Sequence, residues 1–304
     1  MKKILIPTDF SDCAGYALDT AVKLAEKFGS ELHIYHRADI DPAFDESSTV
    51  SQQESMESYA MLQFIKKKYY KIREQYASSN LRIITTFSSG DLVKTVTDYI
   101  STENIDMVVM GSSGASGLKG MVMGSQTQKI VRNAYCPVLV VKHPVNTVIF
   151  KNIVFASDFS DLAKKPFEKL IEFARKFGSH IHLLNVAAYP KFTVNEEDLT
   201  RMKAFEKMCW ALPCTVYGRG DVDLELGVTH FAKEVKADLV SIAHFGKEPI
   251  KRVFTGSLTE NLVNHLETPV LTINANEVKS WKVIKDPEED IPLKRAKVTS
   301  PQKR

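Results

Sequence analysis

The sequence of 304 residues predicts an α/β protein built from two tandem units, each a doubly wound parallel sheet of five strands. Three observations carry this expectation. Landmarks of the first half return in order in the second, at a spacing that marks a duplicated domain rather than a solenoid. Within each half, short apolar runs alternate with amphipathic helical stretches. Those runs are short and mostly apolar, as expected of parallel strands buried between helices.

Lys3–Thr8 reads as the first strand. Ser11 and Asp12 then start a helix whose apolar face is Ala14, Leu18, Ala21, Ala25 and Phe28, with Gly29 where a C′ glycine belongs. Glu31–His36 is the second strand. A long helical stretch follows, carrying Met61, Phe64, Ile65, Ile72 and Tyr76. Arg82–Phe87 is the third strand. Gly90-Asp91 opens a helix with Leu92, Val96, Tyr99 and Ile100. Asp106–Met110 is the fourth strand, Ser125–Ala134 a helix and Pro137–Val141 the last strand.

The second half repeats the plan. Lys2-Lys3-Ile4-Leu5-Ile6-Pro7-Thr8-Asp9-Phe10-Ser11-Asp12 returns as Lys151-Asn152-Ile153-Val154-Phe155-Ala156-Ser157-Asp158-Phe159-Ser160-Asp161. Lys27-Phe28-Gly29-Ser30 returns as Lys176-Phe177-Gly178-Ser179, and Cys136-Pro137-Val138-Leu139-Val140 as Thr268-Pro269-Val270-Leu271-Thr272. The first copy is longer between its second and third landmarks, within the polar segment Asp39–Glu57. The chain thus divides into a unit over 1–142, a linker over 143–150, a second unit over 151–274 and a charged, flexible tail over 275–304.

Composition narrows the function classes. Apolar residues make up 44% and charged residues 25%, with a net charge of +3 from 40 Lys+Arg and 37 Asp+Glu, the profile of an ordinary soluble protein. This gives no case for nucleic-acid binding. No apolar stretch reaches the ~18 residues of a membrane helix, and Ile4–Pro7 is too short for a secretory leader. Cys13, Cys136, Cys209 and Cys214 read as buried thiols at no metal-ligand spacing. The chain therefore reads as cytoplasmic, with no membrane partner. His180 and His182 share a strand face, and His33 is the repeat equivalent of His182. That equivalence points to packing or hydrogen bonding, and no Cys, His and carboxylate set completes a metal site.

The segment richest in chemical meaning is 111–125. It runs Gly111-x2-Gly114-x9-Gly124-Ser125, directly after a buried strand and before a helix. Glycines allow close backbone approach to a ligand, and a helix N-terminus offers free N–H groups and partial positive charge to an anion. It is not a Walker A loop, since no Gly-x4-Gly-Lys-Ser/Thr fits. In a doubly wound sheet, ligands sit beyond the carboxyl ends of the strands at the switch point, where both Asp9 and Gly111 belong.

These residues together resemble the universal stress protein family in its tandem form. The resemblance rests on Ile6-Pro7-Thr8-Asp9-Phe10-Ser11, the Gly-x2-Gly-x9-Gly-Ser loop and the closing Cys136–Val141, and it covers residues 1–274 in both copies. It implies two Rossmann-like folds of the adenine nucleotide alpha hydrolase type and an ATP site in the first unit, with or without Mg. Carried over, Pro7, Thr8 and Asp9 address the nucleoside, and Gly111 and Gly114 pass close to ribose and phosphate. The Gly124 N–H and Ser125 hydroxyl bind phosphate. Arg37 stands where ATP-binding relatives carry an aliphatic residue beside adenine. In the second unit Asp158, Val186, Gly246, Gly256 and Ser257 match the pattern, but Ala243 replaces the first glycine, so a nucleotide there is left open.

The resemblance implies a nucleotide-dependent stress-response protein, with an unidentified protein partner, rather than an enzyme. A nucleotide-free scaffold, or a sensor of another small ligand, is the alternative; a slow ATPase is the second, without a visible water-activating group. Relatives pair through closing strands, so Val138–Val141 is expected against Val270–Ile273 as an intramolecular pseudo-dimer, with a homodimer also open.

Overall fold

A computed structural model describes residues 1–38, 40, 52–112, 123–145, 147–244 and 256–275, with side chains at 52–55, 244 and 256–260 left aside. The first half contains β1 (Lys3–Thr8), α1 (Asp12–Phe28), β2 (Glu31–Arg37), α2 (Gln52–Gln75), β3 (Ile83–Ser88), α3 (Leu92–Glu103), β4 (Met107–Gly111), α4 (Ser125–Asn133) and β5 (Val138–Val141). The second contains β6 (Asn152–Ala156), α5 (Lys164–Arg175), β7 (His180–Ala188), α6 (Glu196–Met208), β8 (Cys214–Asp221), α7 (Leu224–Glu234), β9 (Leu239–His244), α8 (Gly256–His265) and β10 (Val270–Asn274). Most of Asp39–Glu57, and the tail from 276 onward, lie outside the described residues.

Local chemistry sets the helix ends. Ser11 Oγ accepts from the Ala14 N–H to cap α1, and Gly29 closes that helix in the left-handed region at φ 66°. Asp91 caps α3 by accepting from Lys94 N–H. Each cap satisfies a donor that the helix cannot satisfy itself.

The strands join into one sheet in the order β3-β2-β1-β4-β5-β10-β9-β6-β7-β8. Within each half all pairings are parallel, and the chain leaves β1 toward β2 and β3 before returning to β4. The halves meet where β5 and β10 run antiparallel, with Val138 opposite Thr272, Leu139 opposite Leu271 and Val140 opposite Val270. Leu139 and Leu271 are repeat equivalents, so the pseudo-two-fold axis passes between them.

Helices cover both faces. Alternate residues of each strand divide between two cores: Ile4, Ile6, Met107, Val109, Leu139 and Val141 face α1, α2, α5 and α6, while Leu5, Val108, Val138 and Val140 face α3, α4, α7 and α8. Both cores run unbroken from one half into the other. Phe28 of α1 stacks on Phe173 of α5 with ring centroids 5.7 Å apart, and meets Phe177, its own repeat equivalent, at 6.0 Å.

One expectation is corrected. Cys209 and Cys214 are joined as a disulfide between α6 and β8 rather than standing as separate thiols, because the turn after α6 brings their Cα atoms to 6.3 Å; Cys13 and Cys136 are free. Ser160 does not repeat the capping of Ser11. The segment after it first forms a 3₁₀ turn over Asp161–Ala163, and the buried Ser160 Oγ has no partner among the described residues.

His33 and His182 occupy equivalent core positions. His33 Nδ1 lies 2.8 Å from the Tyr99 hydroxyl. His182 stacks on His180 at 4.2 Å, and its Nε2 lies 3.3 Å from Asn152 Oδ1. Burial, and then the neighbouring His180, push the His182 pKa down to about 4. The unfolded chain, with an ordinary histidine pKa near 6.5, therefore binds this proton more readily than the folded one. The stabilisation is complete above pH ~6.5 and is lost as pH falls toward 4. Unfolding free energy measured by denaturant titration should decline by roughly 2–3 kcal/mol over that window, and His182→Gln should flatten the decline.

Candidate functional site

The switch point between β1 and β4 opens into a cleft of about 520 Å³ at the carboxyl ends of the strands. Pro7, Thr8, Asp9, Arg37, Gly111, Gly124 and Ser125 all line it. Seven residues singled out from the sequence, separated by more than a hundred positions, thus meet on one surface.

The β1 end is fixed by a ladder of side-chain to backbone bonds. Thr8 Oγ1 accepts from Phe10 N–H at 3.0 Å, Asp9 Oδ1 from Ser11 N–H at 3.0 Å and Ser11 Oγ from Ala14 N–H at 3.3 Å. The ladder turns the chain so sharply that Phe10 takes φ 63°, a conformation costing a non-glycine residue about 1–2 kcal/mol. Packing offsets the cost: the Phe10 ring lies 4.5 Å from His36 and 5.9 Å from Tyr69. His36 Nδ1 is protonated, since it donates to the Thr8 carbonyl at 2.8 Å. The result presents an exposed Asp9 at the cleft mouth.

The β4 end is governed by close approach. A Cβ at Gly111 would lie 2.9 Å from the Cys13 carbonyl carbon, its oxygen and its Sγ, and Gly111 has no positive φ. The glycine is therefore required by the packing of β4 against the first turn of α1. Ser112 N–H donates to the Val141 carbonyl at 3.1 Å and Gly124 N–H to the Ser112 carbonyl at 2.8 Å, which closes the neck of the loop. This corrects one expectation: the Gly124 N–H is committed to Ser112 and not directed at a ligand. Ser125, Gln126 and Thr127 line the cleft, and the N–H groups of a helix's first turn have no partner inside the helix. The N-cap of α4, Gly124, supplies no side-chain cap bond. Gly114 lies outside the described residues.

At the far wall, Arg37 Nε donates to the Gly90 carbonyl at 3.1 Å, so the guanidinium spans from β2 to the turn before α3. Gly90 holds φ 100°, which favours glycine. Gly90, Asp91, Leu92, His36, Gln126 and Thr127 line the cleft as well, and the motif reading missed them. Gly90-Asp91 was legible only as a helix start. The topology alone would have placed it at this edge, since it follows the third parallel strand.

The second half repeats the β1 ladder. Ser157 Oγ accepts from Phe159 N–H and Asp158 Oδ1 from Ser160 N–H, both at 3.0 Å, and Phe159 takes φ 54°. Among the described residues, the equivalent strand ends of the second half are arranged differently. Val186 is buried against α7, where a Cβ at Gly227 would lie 2.5 Å from Val186 Cγ1. β7 continues past it to Ala188, paired with Asp221 of β8, so Val186 does not sit at an open strand end. The segment after β7 then crosses β8 so closely that a Cβ at Gly220 would lie 2.0 Å from the Phe192 carbonyl oxygen. Ala243, in the place of Gly111, is buried in β9, and the first helix of this half is preceded by a 3₁₀ turn over Asp161–Ala163. Gly256 and Ser257 start α8, and Gly246 lies outside the described residues.

Comparison with known proteins follows the same outline. A profile described as the universal stress protein family matches residues 1–142 and 215–274. A universal stress protein of Methanocaldococcus jannaschii is 30% identical over 151 residues, covering 47% of this chain and 83% of that protein. The universal stress protein E homolog of Haemophilus influenzae is 22% identical over 311 residues, covering 91% and 98%. In fold, the chain is similar to a universal stress protein structure from Archaeoglobus fulgidus, with a TM-score of 0.70 at 18% identity over 90% of this chain and 98% of that one.

The steric account of Gly111 is checkable. Gly111→Ala should destabilise the protein by about 1–3 kcal/mol. Adding Cys13→Ala should recover only part of this, because two of the three clashing atoms are backbone. Urea denaturation of the single and double variants measures both.

Proposed function

The chain belongs to the universal stress protein family, and from that premise we propose that its first unit binds an adenine nucleotide, ATP, in the cleft between β1 and β4. The observation that carries the reading is the convergence of Asp9 and the uncapped start of α4 on one cleft of about 520 Å³, a size suited to a nucleotide. Pro7, Leu92, Met110 and Ile130 supply apolar wall for a base. The first-turn N–H groups of α4 and the Ser125 hydroxyl suit phosphate oxygens. Asp9 is positioned for ribose hydroxyls, to which a carboxylate makes strong hydrogen bonds. We assign the site no catalytic step. The nucleotide acts by altering the surface around residues 111–125 that a protein partner reads, which makes the chain a nucleotide-dependent regulatory protein of the stress response.

One observation favours a second reading, a sensor of another small ligand. The guanidinium of Arg37, held on the Gly90 carbonyl, places a cation where an aliphatic neighbour of adenine is expected. A ligand with an anionic group at that end fits this wall better than an unsubstituted base.

Calorimetric titration with ATP separates the two. ATP binding, weakened on the order of tenfold in Asp9→Ala through loss of a charge-assisted hydrogen bond and unchanged in Asp158→Ala, supports the nucleotide reading. No heat of binding, and no nucleotide extracted from the purified protein, would sink it.

A further inference from the structure

We propose that Asn264, a residue of the second half, is a positioning residue for the phosphate-facing segment of the first. The inference rests on the nucleotide reading above and deepens it by naming what holds that segment. Asn264 lies in the last turn of α8, and its Oδ1 accepts from the Met123 N–H at 2.6 Å. Met123 immediately precedes Gly124, the N-cap of α4, and is 2% exposed. Its N–H is therefore a donor with little access to water, and leaving such a group unpaired is costly.

Asn264 is itself held from the first half. Lys142, which follows β5, donates from Nζ to the Asn264 carbonyl. Lys142 is half-buried, and desolvation lowers its pKa. The amide is thus tied on one side to the end of β5 and on the other to the entrance of α4. With the Gly124-to-Ser112 and Ser112-to-Val141 bonds, it completes a frame around both ends of the segment 113–122. The frame fixes the direction of the α4 N-terminus, on which the first-turn donors depend. Only the β5–β10 pairing brings α8 close enough to supply this bond.

By the repeat, the position of Asn264 in α8 corresponds to Arg132 in α4, so the two halves carry different side chains at this place.

The test uses the full chain. In Asn264→Ala, hydrogen exchange at Met123 and Gly124 should quicken on the order of tenfold, the loss of one buried hydrogen bond. Exchange in β5 and β10 should stay at its wild-type rate. ATP affinity should fall by a similar factor. Asn264→Asp keeps the acceptor and should restore slow exchange at Met123, which separates positioning from general loss of structure. Faster exchange spread through α8 and β10 in both variants would overturn the proposal, as would wild-type ATP affinity in Asn264→Ala. A wild-type protein that binds no ATP would instead overturn the nucleotide reading, and this inference with it.

Discussion

The antiparallel contact between β5 and β10 is the constraint from which the rest of the architecture follows. Three residue pairs, centred on Leu139 opposite Leu271, join two parallel five-stranded sheets into one of ten. An unpaired β5 would be an edge strand with both faces buried and a row of open backbone groups, a ready site for unintended pairing. The duplication supplies the partner within the same chain. Once the strands are paired, the two cores run through both halves, Phe28 meets Phe173 and Phe177, and α8 comes within hydrogen-bond reach of the segment leading into α4.

The same symmetry makes the differences between the halves informative. Both keep the turn after their first strand, down to the left-handed phenylalanine and its two side-chain acceptors. They part at the strand ends that, in the first half, line the cleft. The first half keeps Gly111 because α1 starts immediately and its Cys13 backbone leaves no room for a Cβ. The second begins with a 3₁₀ turn and carries Ala243 in that place. In the first half, β2 ends at Arg37 on the cleft rim. In the second, β7 runs on to Ala188, and the chain beyond it lies over Gly220.

Much of this was legible in the sequence. Short, mostly apolar runs signalled strands covered on both faces, the βα alternation with the internal repeat pointed to two doubly wound halves, and the family resemblance implied their pairing through Val138–Val141. The cleft was legible because its members lie at strand ends, which topology brings together. What was not legible depends on distances that no pattern encodes. Gly111 read as a ligand-facing glycine and does line the cleft, but no pattern showed that Cys13 also leaves no room for a Cβ there. Gly124 read as a phosphate donor, whereas its N–H closes the loop neck on Ser112. Cys209 and Cys214 read as thiols, because a five-residue spacing carries no signal of how the turn after α6 folds. Asn264 drew no notice at all, since nothing along the chain links a polar residue on the last helix to Met123.

The central proposal is that the nucleotide is held in the first half, in the cleft between β1 and β4. Crosslinking of a bound azido-adenine analogue to the full-length protein tests it most directly, since affinity alone does not distinguish one half from the other. The account predicts crosslinks to residues of the first half. Crosslinks confined to the second half would contradict it.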